Sequence, residues 1–298
     1  MVEPKVWARI RRSPVALICI GLLGFVALAA AIIPPLMPAS YALPGPNQYA
    51  PPSWSHPFGT DLNGRDLLYR VLTGARVSLV VGLCGATISL VIGTVYGLIS
   101  GYCGGRVDNL MMRLVDILYS VPRLIFILIL INSFNSRLQE FAAARDWPWL
   151  IDYSSIVILI LSLGVIEWLT MARIVRGQTL ALKSRQFVAA ARSLGQSHIK
   201  ILVSHLLPNL IGVIVIYLTL TIPAVIIDES FLSFLGLGVQ APHASLGSLL
   251  SDGAQAINPV RSLWWMIVFP SVVIGLILLA LNFLGDTLRD ALDPRRRN

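Results

Sequence analysis

Six stretches of about 20 apolar residues punctuate this 298-residue chain, at about 15–36, 77–100, 114–134, 154–174, 209–227 and 264–284. A hydrocarbon core roughly 30 Å thick is crossed by a helix of about 20 apolar residues. Lipid offers backbone groups no hydrogen-bond partners, so helices must satisfy their own. The pattern predicts an all-α polytopic membrane protein with six transmembrane helices. Composition agrees, with 56% hydrophobic and 13% charged residues, where soluble domains carry about a quarter charged. A soluble enzyme or binding module is excluded.

The first run follows Lys5, Arg9, Arg11 and Arg12, the flank of a signal peptide. It is longer than an h-region of about 7–15 residues, and no clean A-x-A site follows, so it reads as an uncleaved anchor. The net charge of +8 would point to nucleic acid in a soluble domain. Here the basic residues flank apolar runs, so they mark topology beside the lipid bilayer rather than a nucleic-acid partner. With the N-terminus inside, cytoplasmic segments hold 16 Lys and Arg residues. Outer segments hold 6, namely Arg65, Arg70, Arg76, Arg137, Arg145 and Arg261. The positive-inside rule then puts both termini in the cytoplasm.

The chain divides into an anchor helix with a proline-rich outer loop (1–75), a membrane domain (76–290) and a basic tail (291–298). Residues 37–58 carry neither Lys nor Arg and read as an extended connector. Residues 135–153 are polar, with Trp147 and Trp149 suited to an interfacial belt. From Asp228 to Arg261 the outer segment is too long for a turn. Its apolar patch Phe231–Gly238 is too short to span, so it lies along the interface or re-enters partway. No internal repeat is visible, which disfavours a secondary transporter.

Between the fourth and fifth runs lies a polar, basic insert, residues 184–208, on the cytoplasmic side. Gly195 predicts a break between helices near 184–194 and 197–206, with Pro208 starting the fifth span. Phe187, Ala190, Ala191 and Leu194 share one face at helical spacing, with Arg185 and Arg192 off it. Such a face fits a partner's groove or the lipid surface.

Charges inside spans are expensive and default to function. Arg123 and Glu167 fall at similar depth in the third and fourth runs, so they pair across the two helices or line a wet pathway. Asp116 and Arg173 read as interfacial. Outside, Asp61, Arg65 and Asp66 read as the capped, salt-bridged start of an interfacial helix, and Asp228 and Glu229 as the end of the fifth span. Either set is placed to meet a partner or simply to be solvated. Cys19, Cys84 and Cys103 have no C-x-x-C spacing, and the four histidines are scattered, so no metal site and no cofactor is expected. Lys183-Ser184 follows Leu182 rather than glycine, so there is no P-loop. The glycines before Arg106 read as a tight helical hairpin. No catalytic dyad or triad is present, and any ATP chemistry belongs to another chain.

Five segments carry a resemblance: His56–Gly82, Gly101–Pro122, Met171–Lys183, Asp228–Ala254 and Asn282–Pro294. They resemble, in order, the integral subunits of bacterial ABC importers of the oligopeptide/dipeptide/nickel branch. The runs MARIVRGQTL, DESFLSFLGLG and LLSDGA look most like the second permease of oligopeptide importers. The resemblance implies the type I ABC importer permease fold in the bacterial inner membrane. It also implies a second permease, two cytoplasmic ATPases and an extracytoplasmic peptide-binding protein as partners. The insert resembles the family's EAA coupling loop, which places Phe187, Ala189, Ala190, Ala191, Arg192, Gly195, Leu207 and Pro208 at the ATPase. One departure is visible: Ala189 stands where the family usually has Glu, and Gln186 where it often has an acid. Docking by shape and apolar contact, or through a differently charged partner surface, is then expected. Dipeptides or nickel are alternative cargoes, and a proton-coupled transporter using Glu167 or Asp116 is an alternative class.

Overall fold

The computed structural model describes residue 11 and residues 13–38, 41–257 and 261–292. The basic flank at Lys5, Arg9 and Arg12 and the tail beyond residue 292 lie outside the described residues. The elements are α1 (Pro14–Leu36), α2 (Leu67–Cys103), α3 (Gly105–Ser120), α4 (Arg123–Ala144), α5 (Pro148–Asp152), α6 (Ser154–Lys183), α7 (Gln186–Ser193), α8 (His198–Ile201), α9 (Leu207–Phe234), α10 (Leu246–Gln255) and α11 (Trp265–Leu292). Among the described residues the only strand-like feature is an isolated bridge between Thr60 and Asp66.

Among the described residues five helices are long and apolar enough to cross a membrane, with α8 and α9 counted as one run, His198–Phe234. Helices α3 and α4, bent by 89° at their junction, pass the same test as a pair and give a sixth crossing when taken as one broken span. The straight third span expected over 114–134 is therefore corrected to an elbow. Its cause is Pro122, which lacks an N–H and pushes Val121 into extended backbone (φ −79, ψ 130). Much of the expected outer loop 135–153 is helical instead, because α4 continues to Ala144. Likewise α2 runs through residues 75 and 76 without interruption.

The centre of the molecule is the pair α2 and α6, which run parallel: Gly85 meets Leu163, and Gly101 meets Thr179. Small residues recur every fourth position along α2, at Gly85, Ser89, Gly93, Gly97 and Gly101. Ser89 and all four glycines are buried. A Cβ at Gly93 would lie 2.5 Å from Met171 Cβ, and one at Gly97 2.5 Å from Ala172 O. Lipid supplies no hydrophobic drive between helices, so close backbone approach along a small-residue stripe is what holds such a pair. Helix α9 lies across the outer half of α2, where Val225 and Ile226 cover Gly85 and Gly82.

The outer segment folds back as α10 against α2, α9 and α11. Ser245 caps it in a reciprocal capping box with Ser248. Gly247 sits on the backbone of Ser230, where a Cβ would come within 2.2 Å of its oxygen. The first part of Phe231–Gly238 simply continues α9, with Leu232 and Ser233 buried and Phe231, Phe234, Leu235 and Leu237 exposed. The proline-rich connector is pinned to the mouth of α2 by Thr60, which accepts from Ala50 N at 2.7 Å and donates to Asn47 O at 2.6 Å.

Candidate functional site

The insert folds as a knob on the inner ends of α2, α6 and α9. After α6 ends at Lys183, α7 turns beneath it and stops at Gly195, whose φ of +71 few other residues adopt readily. The chain then turns into α8, capped by Ser197. The expected separation between this second piece and the fifth span is absent. Helix α8 passes through a π-helical turn, Leu202–Leu206, directly into α9. Pro208, in the first turn of α9, cannot donate to Ser204; the widened turn ahead of it accommodates that gap. The backbone of the knob is thus continuous with α9, with no break at Pro208.

Val188 and Ala191 turn inward and pack with Tyr102, Val175, Ile201, Leu206 and Leu210. That splits the expected four-residue face. Ala191 is 3% exposed, because a helix of two turns rests on one seam. Phe187, Ala190 and Leu194 point outward, joined by Ile199 and Val203 from the second piece. Leu194 is 79% exposed and Ile199 75%. Ala189, Arg192 and Pro208 are exposed as well, and Leu207 is partly buried. Polar contacts fix the knob: Tyr102 Oη to His198 Nδ1 at 2.8 Å, His205 Nε2 to Gln196 Oε1 at 2.8 Å, and Arg192 over the Tyr102 ring at 5.3 Å.

Arg123 opens α4 directly after the elbow. Its Nη1 lies 2.9 Å from Glu167 Oε1 on α6, and its Nη2 pairs with Asp228 on α9. Asp228 is thereby corrected from an outer, solvent-facing helix end to a partner of an in-membrane arginine. Glu229 is corrected too. It is fully buried and accepts hydrogen bonds from Ser78 (2.8 Å), Ser230 (3.3 Å) and Ser233 (2.7 Å). Residues 228 and 229 lie in mid-helix because α9 extends to Phe234, seven residues beyond the expected end.

The outer charges are also engaged within the fold. Asp61 accepts from Arg65 Nε and Arg70 Nη1, both at 2.8 Å, and Arg70 Nη1 also donates to Asp252 at 2.8 Å. Asp66 caps the second span itself through Tyr69 N, rather than a separate interfacial helix. It also meets His56 Nδ1 at 2.9 Å. Sequence reasoning missed the Asp108 and Arg176 pair, whose two bonds of 2.6 Å tie α3 to α6 while Ser100 adds another at 2.5 Å. The signal was present in the 4-residue spacing of small residues, which puts Ser100 and Gly101 against the turn of α6 that holds Arg176. Among the described residues no group of three His, Cys, Asp or Glu is arranged to hold a metal.

An all-α bundle with a cytoplasmic knob continuous with its spans is the type I permease fold of ABC importers. A chain of an inward-facing MetNI methionine ABC transporter shares it, with a TM-score of 0.56 at 18% identity, over 76% of this chain and 98% of that one. Residues 93–298 match the family described as binding-protein-dependent transport system inner membrane component. The chain belongs to that family. It is 42% identical to the oligopeptide transport system permease protein OppC of Haemophilus influenzae, over 97% of this chain and 87% of the relative. It is 40% identical to the dipeptide transport system permease protein DppC of Bacillus subtilis, over 98% and 85%. Against OppC of Escherichia coli K12 it is 46% identical, over 81% and 73%.

Proposed function

We propose that this chain is one of two permease subunits of an ATP-driven peptide importer in the bacterial inner membrane. Cytoplasmic ATPases would seat on the knob, and an extracytoplasmic binding protein would deliver cargo to the α10 side. The observation that carries this reading is the outward apolar surface Phe187–Ala190–Leu194–Ile199–Val203, carried on the inner ends of α6 and α9. A soluble partner that changes shape on this surface would tilt both helices together. Ala189 lies on the exposed side, so docking there proceeds by apolar contact without the family's usual carboxylate. Similarity to both OppC and DppC proteins favours peptides over nickel. Arg123 and Glu167 then lie on the route, since their charges require a wet or paired setting within the bilayer.

The test is uptake by the complete complex in proteoliposomes. ATP-dependent accumulation of tri- to pentapeptides, unaffected by collapse of the proton gradient, is the expected result. Uptake that follows the proton gradient and ignores ATP would replace this reading with a secondary transporter.

A further inference from the structure

Helix α3 and the elbow lie antiparallel along α6, and the contacts between them are polar at nearly every turn. Asp108 meets Arg176 at 2.6 Å, Asp116 meets Arg173 at 2.7 Å, and Tyr119 Oη meets Thr170 Oγ1 at 2.5 Å. Arg173 also stacks over the Tyr119 ring at 4.0 Å. The series ends with Arg123 and Glu167. From Arg176 to Glu167 the seam climbs about 14 Å, close to half of a bilayer core. The upper end is near mid-membrane: Gly164, one turn from Glu167, packs on Ile88, the middle of the apolar stretch of α2.

In the single chain the outward side of this seam is open, while Asp108 and the apolar residues Val115, Trp168, Leu169 and Ala172 along it are buried. The side chains of Asp116, Arg173 and Arg123 are 66%, 44% and 43% exposed. Hydrocarbon is a poor neighbour for such a surface. At its upper end is a recess of about 240 Å³ lined by Leu118, Tyr119, Ser120, Pro122, Glu167 and Thr170. Arg123 lines this recess with Glu167 and also pairs with Asp228, which lies outside the lining, so two carboxyl groups share one guanidinium. Glu167 is nine-tenths buried, and neither its Oε1 nor Asp228 Oδ2 accepts a well-aligned hydrogen bond. The other charged groups nearby are occupied: Arg173 by Asp116, and Glu229 by Ser78 and Ser233. An arginine already standing between the carboxylates disfavours a divalent metal ion.

We propose that the seam between α3 and α6 is the inner half of the water-filled route, and that the Arg123–Glu167–Asp228 cluster at its upper end receives a primary ammonium group of the cargo. That ammonium comes from a free peptide N-terminus or from a lysine side chain. The proposal rests on the peptide-importer reading above.

The test uses the complete complex in proteoliposomes, with Cys19, Cys84 and Cys103 replaced. Single cysteines at Ser120 and Thr170 are exposed to a charged, membrane-impermeant thiol reagent from the cytoplasmic side. Both are expected to react more than about tenfold faster than a cysteine at Val91, which is exposed elsewhere on α2; that contrast is water against lipid. Transport by E167Q and D228N is compared with wild type for three peptides: free N-terminus, N-acetylated, and N-acetylated with an internal lysine. Loss of one charge-assisted contact predicts about a tenfold drop for the free peptide and less than twofold for the acetylated one, with E167D restoring part of the loss. The lysine peptide separates the two ammonium sources. Thiols that stay inert in a transporting complex would overturn the wet seam, whatever E167Q does to folding. Equal losses for free and acetylated peptides would overturn the ammonium station. A wild-type complex that carries no peptide with ATP would instead overturn the importer reading.

Discussion

Glu229 shows how a single residue can join elements far apart in the chain. Its carboxyl gathers hydroxyls from Ser78 on α2 and from Ser230 and Ser233 on α9. Ser78 also accepts from Leu246 N at the start of α10, and Ser233 accepts from Val239 N. Replacing Glu229 by Leu strands these buried donors, at a cost of about 1–3 kcal/mol for each group left unpaired; the detergent-solubilised complex should melt at lower temperature. Gly97 makes a similar case through volume. A leucine there must displace the Ala172 backbone, 2.5 Å from the new Cβ, so G97L should destabilise by roughly 1–3 kcal/mol or more. Gly177 on α6 has nothing within 4 Å of an added Cβ, so G177A should leave the melting temperature unchanged or raised.

At the scale of elements, the apolar runs and the Gly195 break were legible because period, length and one helix breaker determine them. The elbow was not: Arg123 and Pro122 interrupt a run whose average hydropathy still reads as one span. Only the local rule that proline disfavours helix in the residue before it points to Val121. The knob was half legible. Helical spacing put Phe187, Ala190, Ala191 and Leu194 together, but which seam faces inward depends on Tyr102, Ile201 and Leu206, which are distant in sequence or lie beyond the turn. The division of labour within α7 gives a prediction. V188D should loosen the knob and lower the amount of assembled complex, because an unpaired charge enters a buried cluster. L194D should leave the melting temperature within about 0.5 kcal/mol equivalent, as exposed changes do, yet sharply weaken co-purification of ATPase subunits.

At the scale of the molecule, charge asymmetry along the sequence and the direction of the helices agree on one topology. Cys103 is exposed where α2 ends, beside Lys183, whose Nζ donates to its carbonyl at 3.3 Å. An impermeant maleimide should therefore label Cys103 in inside-out vesicles and not in intact spheroplasts. The charges that looked available on the outer side belong to the fold's own bracing, whereas the knob presents an exposed apolar surface continuous with α9.

That surface is where the account is most directly tested. Single cysteines at Ala190 and Val188, in the chain lacking Cys19, Cys84 and Cys103, would be crosslinked in native membranes with and without ATP. Ala190 is expected to join a nucleotide-hydrolysing subunit in an ATP-sensitive manner, while buried Val188 is not. Links from Ala190 to lipid alone, with the complex at normal levels, would contradict it.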